Sequence, residues 1–173
     1  DTIRRLAAFG LAMLPLDIRQ ESSRHSEALD AITKYLGLGS YISWDESTRR
    51  EWLCKEIESK RPLLPKNTPF KKLGFSPTVI DTLETFELIA KVVPDSLGAY
   101  VISQCQQASD VLAVTLLQLD AGVLEPLRVV PLFETLDDLE RSADTMDALF
   151  SMPAYKNHIQ GKQEVMFGYS DSA

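Results

Sequence analysis

The sequence has 173 residues, 45% hydrophobic and 25% charged, and 25 acids against 18 lysines and arginines give a formal net charge of −7. That is the profile of an ordinary globular chain long enough for one real core, and its acidity excludes a nucleic-acid footprint, which needs a basic face. The apolar stretch Val111 to Leu124 is broken by Gln118 and Asp120, so no membrane span is expected.

Basic residues cluster at Arg4-Arg5, Arg19 and Arg24, Arg49-Arg50 and Lys71-Lys72, without the interleaved aromatics of a single-strand binder. A small anionic ligand held by one or two arginines fits better than a polymer. Cys54 and Cys105 have no metal-ligand spacing and read as small core hydrophobes in a reducing compartment. The opening residues show no signal-peptide layout. The chain starts within a helical pattern and stops at Tyr169 to Ala173 without a terminating signal, so a piece of a longer protein is expected.

In chain order, residues 1 to about 9 read as an amphipathic helix, with Ile3, Leu6 and Ala7 on one side and Gly10 ending it. Leu11 to Ile18 reads as a strand interrupted by Pro15, a residue usually confined to edges or bulges. Ser26 to Leu36 carries a helical stripe of Ala28, Leu29, Ile32 and Leu36, stopped by Gly37 and Gly39. Asp45-Glu46-Ser47 opens another helix with Trp52, Leu53 and Ile57 as its buried stripe. Pro62, Pro65 and Pro69 mark a connector too short for a domain linker. Ser76-Pro77 then restarts a helix carrying Val79, Ile80, Leu83, Phe86 and Ile89.

Leu97 to Ser103 reads as a strand, and a helix from Ala108 or Ser109 runs to Leu119. The continuous apolar run Leu127 to Phe133 suggests a strand buried on both faces. Asp137 to Phe150 is an acidic amphipathic helix, Ala154 to Ile159 a short one, and Gln163 to Tyr169 a last strand. Alternating strands and helices are the layout of parallel βα units. The expected strands are therefore 12–18, 97–103, 127–133 and 163–169.

Two carboxylates, Glu134 and Asp171, fall just past strand ends, where α/β barrels and open sheets place their chemistry. A pair of oxygen ligands leaving room for water and a phosphorylated substrate suits Mg²⁺ or Mn²⁺. The alternative is that each merely begins or caps the next helix. Arg19 also stands at an expected strand end, and its guanidinium suits bidentate capture of phosphate or carboxylate. Its alternative is a local ion pair with Asp17 or Glu21. Gly168-Tyr169-Ser170-Asp171-Ser172 lacks the final glycine and the partnered histidine of a nucleophile elbow. His25 and His158 have no ligand spacing and read as structural, and neither a P-loop nor a dinucleotide glycine fingerprint is present.

Four long segments carry a resemblance. Asp17-Ile18-Arg19-Gln20-Glu21-Ser22-Ser23-Arg24-His25, Ser59-Lys60-Arg61-Pro62-Leu63-Leu64, Pro131-Leu132-Phe133-Glu134-Thr135-Leu136-Asp137-Asp138-Leu139 and Val165-Met166-Phe167-Gly168-Tyr169-Ser170-Asp171-Ser172 together resemble the phosphoenolpyruvate carboxylase family, end to end and in order. The resemblance implies an internal piece, residues 1–173, of a larger catalytic domain, helix-rich around part of a (β/α)₈ barrel. It implies a cytoplasmic homotetramer that makes oxaloacetate from phosphoenolpyruvate and bicarbonate with Mg²⁺ or Mn²⁺, feeding the tricarboxylic acid cycle. The implied metal ligands are Glu134 and Asp171, and the implied catalytic, substrate-phosphate arginine is Arg19. An ion pair near a subunit contact falls on Glu56 and Arg61. Met13-Leu14-Pro15-Leu16 departs from the family's more usual valine-arginine-type strand, and the connector from Asn67 to Phe75 is longer than in some bacterial relatives. The family's catalytic histidine, remaining arginines, following lysine and glycine-rich loop fall outside these residues. Two other readings of the residues stand beside this one: another metal-dependent barrel enzyme acting on phosphoenolpyruvate or pyruvate, and a non-catalytic helical interaction module.

Overall fold

The computed structural model describes residues 1–10, 14–59, 61–65 and 68–168. Four strands, β1 (Leu16–Glu21), β2 (Leu97–Ser103), β3 (Arg128–Phe133) and β4 (Met166–Phe167), form one parallel sheet in the order β1-β2-β3-β4. The helices are α1 (Thr2–Phe9), α2 (Ser22–Tyr35), α3 (Glu46–Ser59), α4 (Pro77–Ile89), α5 (Ala108–Asp120), α6 (Leu136–Ser151) and α7 (Pro153–Ile159). Short 3₁₀ turns occupy Tyr41–Ser43, Phe70–Leu73 and Pro94–Ser96. The chain is thus α/β, with parallel neighbours joined by helical crossovers, as parallel pairing requires.

The sheet divides the apolar residues into two sets. On the helix side, Tyr100 and Ile102 of β2 and Val129 of β3 pack with Leu29, Ile32, Leu53, Phe86, Val111, Leu112 and Leu117 in one large core. α5 lies at the centre of this layer, packed against α2, α3 and α4, and is buried almost all round. That explains why its sequence is apolar on every side. The opposite face of the sheet carries a small second cluster of Ala99, Val101, Val130 and Leu132, with Met166 against it. Strand alternation separates the two sets, because successive side chains point to opposite faces.

Two strands differ from expectation. β1 starts after Pro15, at Leu16, and runs to Glu21 instead of ending at Ile18. Past the proline the residues alternate, Ile18 and Gln20 half-buried against Asp17 and Arg19 exposed, so the strand signal is the period of two and not the preceding apolar run. Its register with β2 breaks between Leu16 and Ile18, and there Asp17 Oδ1 accepts a 2.8 Å hydrogen bond from the Ala99 N–H. β4 is only two residues long. It pairs with β3 at Leu132 and Phe133, beyond Pro131, which has no N–H to give. Upstream, Gln163 Nε2 donates to the Val129 carbonyl at 2.9 Å, taking the acceptor that a longer strand would have used.

The helices follow their sequence signals more closely. Ser76 Oγ accepts from the Val79 N–H, and Pro77 opens α4, whose expected stripe of Val79, Ile80, Leu83, Phe86 and Ile89 is buried throughout. α2 begins four residues before the expected start at Ser26, directly after β1, so Ser22 to His25 are helical. Leu36 lies beyond that helix and is partly exposed. No helix among the described residues is long and apolar enough to cross a membrane.

Candidate functional site

Of the expected site residues, Glu134 stands at the carboxyl end of its strand. Glu134 follows β3 at once and continues the parity of Val130 and Leu132, the face of the small second cluster. It does not start the next helix. Thr135 is the cap of α6: its Oγ1 accepts from the Asp138 N–H at 3.1 Å. Asp138 answers with Oδ2, which accepts from the N–H groups of Thr135 at 3.1 Å and of Glu134 at 3.4 Å. This reciprocal capping box satisfies donors that a helix start leaves open. Burial pushes the Asp138 carboxyl up, but hydrogen bonds from Thr135, Glu134 and Arg141 outweigh it and hold it below the usual carboxylate range. The Glu134 carboxylate itself is half-buried and, among the described residues, takes no hydrogen bond or ion pair.

Arg19 is placed differently from expectation. It lies inside β1, in register with Val101, which in turn pairs with Val130. It therefore sits four residues short of the level of Glu134, about 13 Å along the strand direction at 3.3 Å per residue. Neither local ion pair forms among the described residues. Asp17 is engaged with Ala99, and Glu21 Oε1 accepts from Ser23 Oγ at 2.8 Å. The Arg19 guanidinium instead reaches across the second-cluster face, where Nη2 stands 3.2 Å from Met166 Sδ on β4. Asp171, the other expected metal ligand, lies outside the described residues.

Glu56 and Arg61 form the expected ion pair. Arg61 Nε and Nη2 donate to the two Glu56 carboxylate oxygens at 2.8 and 2.7 Å, a fork-to-fork contact. The Arg61 bonds hold the Glu56 carboxyl below its usual range against the opposing effect of burial. The Glu56 side chain is 3% exposed, whereas that of Arg61 is 61% exposed.

The remaining titratable candidates have structural surroundings. His25 is fully buried in the helix-side core, with Nε2 2.8 Å from the Tyr100 hydroxyl. His158 is half-buried beside Tyr155. Cys105 is buried and Cys54 half-buried, both as free thiols. No cluster of three or more histidines, cysteines, aspartates or glutamates suited to a metal occurs among the described residues. A cleft of about 540 Å³ opens at the opposite end of the sheet, lined by Leu127, Arg128, Tyr155, His158, Gln163 and Glu164. It lies at the amino ends of β3 and β4, whereas parallel sheets bind ligands beyond their carboxyl ends. Asp138 is the residue that sequence reasoning missed. It was visible only as part of an acidic helix, although Thr135-x-x-Asp138 has the spacing of a capping box.

Comparison with known proteins gives this end of the sheet its context. A family model described as phosphoenolpyruvate carboxylase matches residues 1–173. A phosphoenolpyruvate carboxylase of Acinetobacter baylyi is 58% identical over 175 residues, covering 100% of this chain and 20% of that protein. The corresponding protein of Acinetobacter baumannii is 57% identical over the same shares. Phosphoenolpyruvate carboxylase 2 of Arabidopsis thaliana is 53% identical over 172 residues, 99% of this chain and 17% of that protein. The chain thus spans about a fifth of the length of the curated relatives it matches. It belongs to the phosphoenolpyruvate carboxylase family.

Proposed function

We propose that this chain is a segment of the catalytic domain of a phosphoenolpyruvate carboxylase and contributes the part of its site formed by Arg19, Glu134 and Asp171. The observation that carries the reading is the family match over the whole chain, together with a carboxylate, at the end of a buried parallel strand, that has no partner among the described residues. The four strands are read as part of a (β/α)₈ barrel wall. In support, Arg19 on β1 touches Met166 on β4, three strand spacings or about 14 Å away along the sheet. Side chains standing on a flat sheet would not meet over that span, so the face between them is concave.

A divalent cation, Mg²⁺ or Mn²⁺, suits this place on chemical grounds. Glu134 offers a half-buried carboxylate with its oxygens uncommitted among the described residues, the hard oxygen donor such ions take. Glu134 and Asp171 would hold it, and it would supply charge neutralisation at an enolate oxygen. In the reaction, a bicarbonate oxygen attacks the phosphorus of phosphoenolpyruvate. The bond from phosphorus to the enol oxygen breaks, its electron pair stays on the pyruvate enolate, and carboxyphosphate forms. Arg19 contributes positive charge toward the phosphoryl group. Carboxyphosphate releases CO₂ and phosphate, and the enolate carbon captures CO₂ to give oxaloacetate.

The same reading makes the complete protein a cytoplasmic homotetramer supplying oxaloacetate to the tricarboxylic acid cycle, with the Glu56–Arg61 pair near a subunit contact. The test uses a full-length carboxylase carrying this segment. Arg19→Ala is expected to reduce turnover or phosphoenolpyruvate affinity by tenfold or more, about 1.4 kcal/mol of transition-state stabilisation or greater. Glu134→Gln is expected to weaken Mn²⁺ binding. Unchanged kinetics in the arginine variant and unchanged metal binding in the glutamine variant would refute the assignment, and bicarbonate-dependent oxaloacetate formation separates a carboxylase from a phosphotransferase.

A further inference from the structure

We infer that Asp138 is the positioning residue for Glu134, fixing the strand-to-helix turn from which that carboxylate is presented to a divalent cation. The inference rests on the reading of Glu134 as a metal ligand. Three observations lead to it. Asp138 is buried, 4% exposed, although it lies in the first turn of an acidic helix whose other acids, Asp137, Glu140, Asp144 and Asp147, face solvent. Its Oδ2 holds two consecutive backbone N–H groups, one of them Glu134's own. Its Oδ1 accepts from Arg141 Nη2 at 3.2 Å, so the charge that grips the turn is itself countered.

The effect on Glu134 is geometric. Oxygen ligands bond Mg²⁺ at roughly 2.0–2.1 Å in near-octahedral geometry, so a carboxylate displaced by about 1 Å loses its place in the coordination shell. Glu134 lies between the last residue of β3 and the helix cap, and on its strand side the Gly168 N–H holds the Phe133 carbonyl at 2.8 Å. Asp138 grips the turn from its helix side, through the N–H groups of Glu134 and Thr135. Residues that orient a metal ligand from behind typically change metal affinity by about 10- to 100-fold when altered.

The same fold contains an internal control. In the turn from β2 to α5, Asp110 Oδ2 accepts from the Gln106 and Gln107 N–H groups at 2.9 and 3.0 Å, the same device at the matching position of the neighbouring βα unit. No carboxylate precedes that cap: Gln106 stands where Glu134 stands in the next unit. A change at Asp110 therefore removes a comparable structural support without touching the proposed ligand.

The experiment is Mn²⁺ binding, by titration calorimetry or electron paramagnetic resonance, to a full-length carboxylase carrying this segment, without substrate. Asp138→Ala is expected to weaken Mn²⁺ binding about tenfold or more. Asp138→Asn, which keeps an oxygen acceptor and loses the charge, should fall between Asp138→Ala and the parent. Asp110→Asn should leave Mn²⁺ affinity within about twofold of the parent while lowering thermal stability. If Asp138→Ala does not fold, a parental Mn²⁺ affinity in Asp138→Asn overturns the inference. So does an equal loss of Mn²⁺ affinity in Asp110→Asn and Asp138→Asn, which would make the effect one of general stability. Glu134→Gln separates the two levels: parental Mn²⁺ binding there removes the metal-ligand reading itself, whereas weakened binding there with parental binding in both Asp138 variants removes only the positioning role.

Discussion

Acidification should loosen the helix layer behind β1 and β2 through His25, and the size of the effect follows from its surroundings. The ring is fully buried, edge-on to Phe86 and Tyr100 at 6.1 and 5.5 Å, with Nε2 on the Tyr100 hydroxyl and Nδ1 without a partner. Burial, with the Arg24 guanidinium nearby, pulls its pKa from 6.5 down to about 3. Below pH 6.5 an unfolded or locally opened His25 takes up a proton, while the packed ring stays neutral until about pH 3. The open state binds more protons throughout that window, so stability is full above pH 6.5 and falls as the pH drops. At about 1.36 kcal/mol per unit, the loss from pH 8 to pH 5 comes to roughly 2 kcal/mol. Hydrogen exchange of peptides from α2 and β2, corrected for the intrinsic pH dependence of exchange, reads this directly. A full-length protein carrying this segment should lose about thirtyfold in protection over that interval, and a His25→Gln variant should lack that part of the slope. Identical slopes in the two proteins would refute the reasoning. The same surroundings make His25 a neutral core residue that stays uncharged near neutral pH.

Other consequences are more local. Gly98→Ala would set a Cβ against the Asp17 carboxylate that holds the Ala99 N–H, so it should loosen the start of the β1–β2 pairing. A cost on the order of 1 kcal/mol, that of one hydrogen bond, is expected in thermal or denaturant unfolding, and little further cost of Gly98→Ala in an Asp17→Ala background would show the two to be coupled. Expressed alone, residues 1–173 should give no oxaloacetate above background from phosphoenolpyruvate, bicarbonate and Mg²⁺, because parts of a site that act together are not lost in proportion. Turnover near that of a complete carboxylase would overturn this expectation.

What the sequence revealed depended on whether a signal was local. α4 was legible because cap, first-turn proline and apolar stripe agree, and β2 matched its expected span of 97–103. The end of β3 was legible because an apolar run stops at a carboxylate, which placed Glu134 correctly beyond the strand. Of the expected strand 12–18, residues 12 and 13 lie outside the described residues; β1 runs on to Glu21 because pairing to β2 follows the alternating residues after Pro15, which an apolar run does not mark. That shift moved Arg19 from a strand end to a strand interior. β4 was over-extended because nothing in its own sequence tells that Gln163 would satisfy Val129 with a side chain. Asp138 was hidden for the opposite reason: its spacing from Thr135 is local, but acids in a helix's first turn are common enough to pass as solvent-facing charge.

The distribution of exposed apolar residues bears on why the site should need more chain than this. Ile3, Leu6 and Phe9 form an uncovered stripe on α1, and no residue of that helix is buried. Leu14 and Leu16 lead into β1, which has a partner on only one edge among the described residues, and Phe167 is exposed on β4 at the other side of the sheet. Charged residues usually guard such edges, and β1 does carry Asp17, Arg19 and Glu21. Yet Arg19 turns inward to Met166 and away from the open edge, and Asp17 is spent on β2. Two of the three charges on β1 are thus committed away from the open edge, and that edge is left apolar at its start. An edge arranged in that way suits a further parallel strand, and closing the wall there would also enclose the face on which Arg19 lies and beyond which Glu134 stands. On the proposed barrel, the groups that would trap phosphate and cation are therefore assembled by the same closure that buries Leu16 and the α1 stripe.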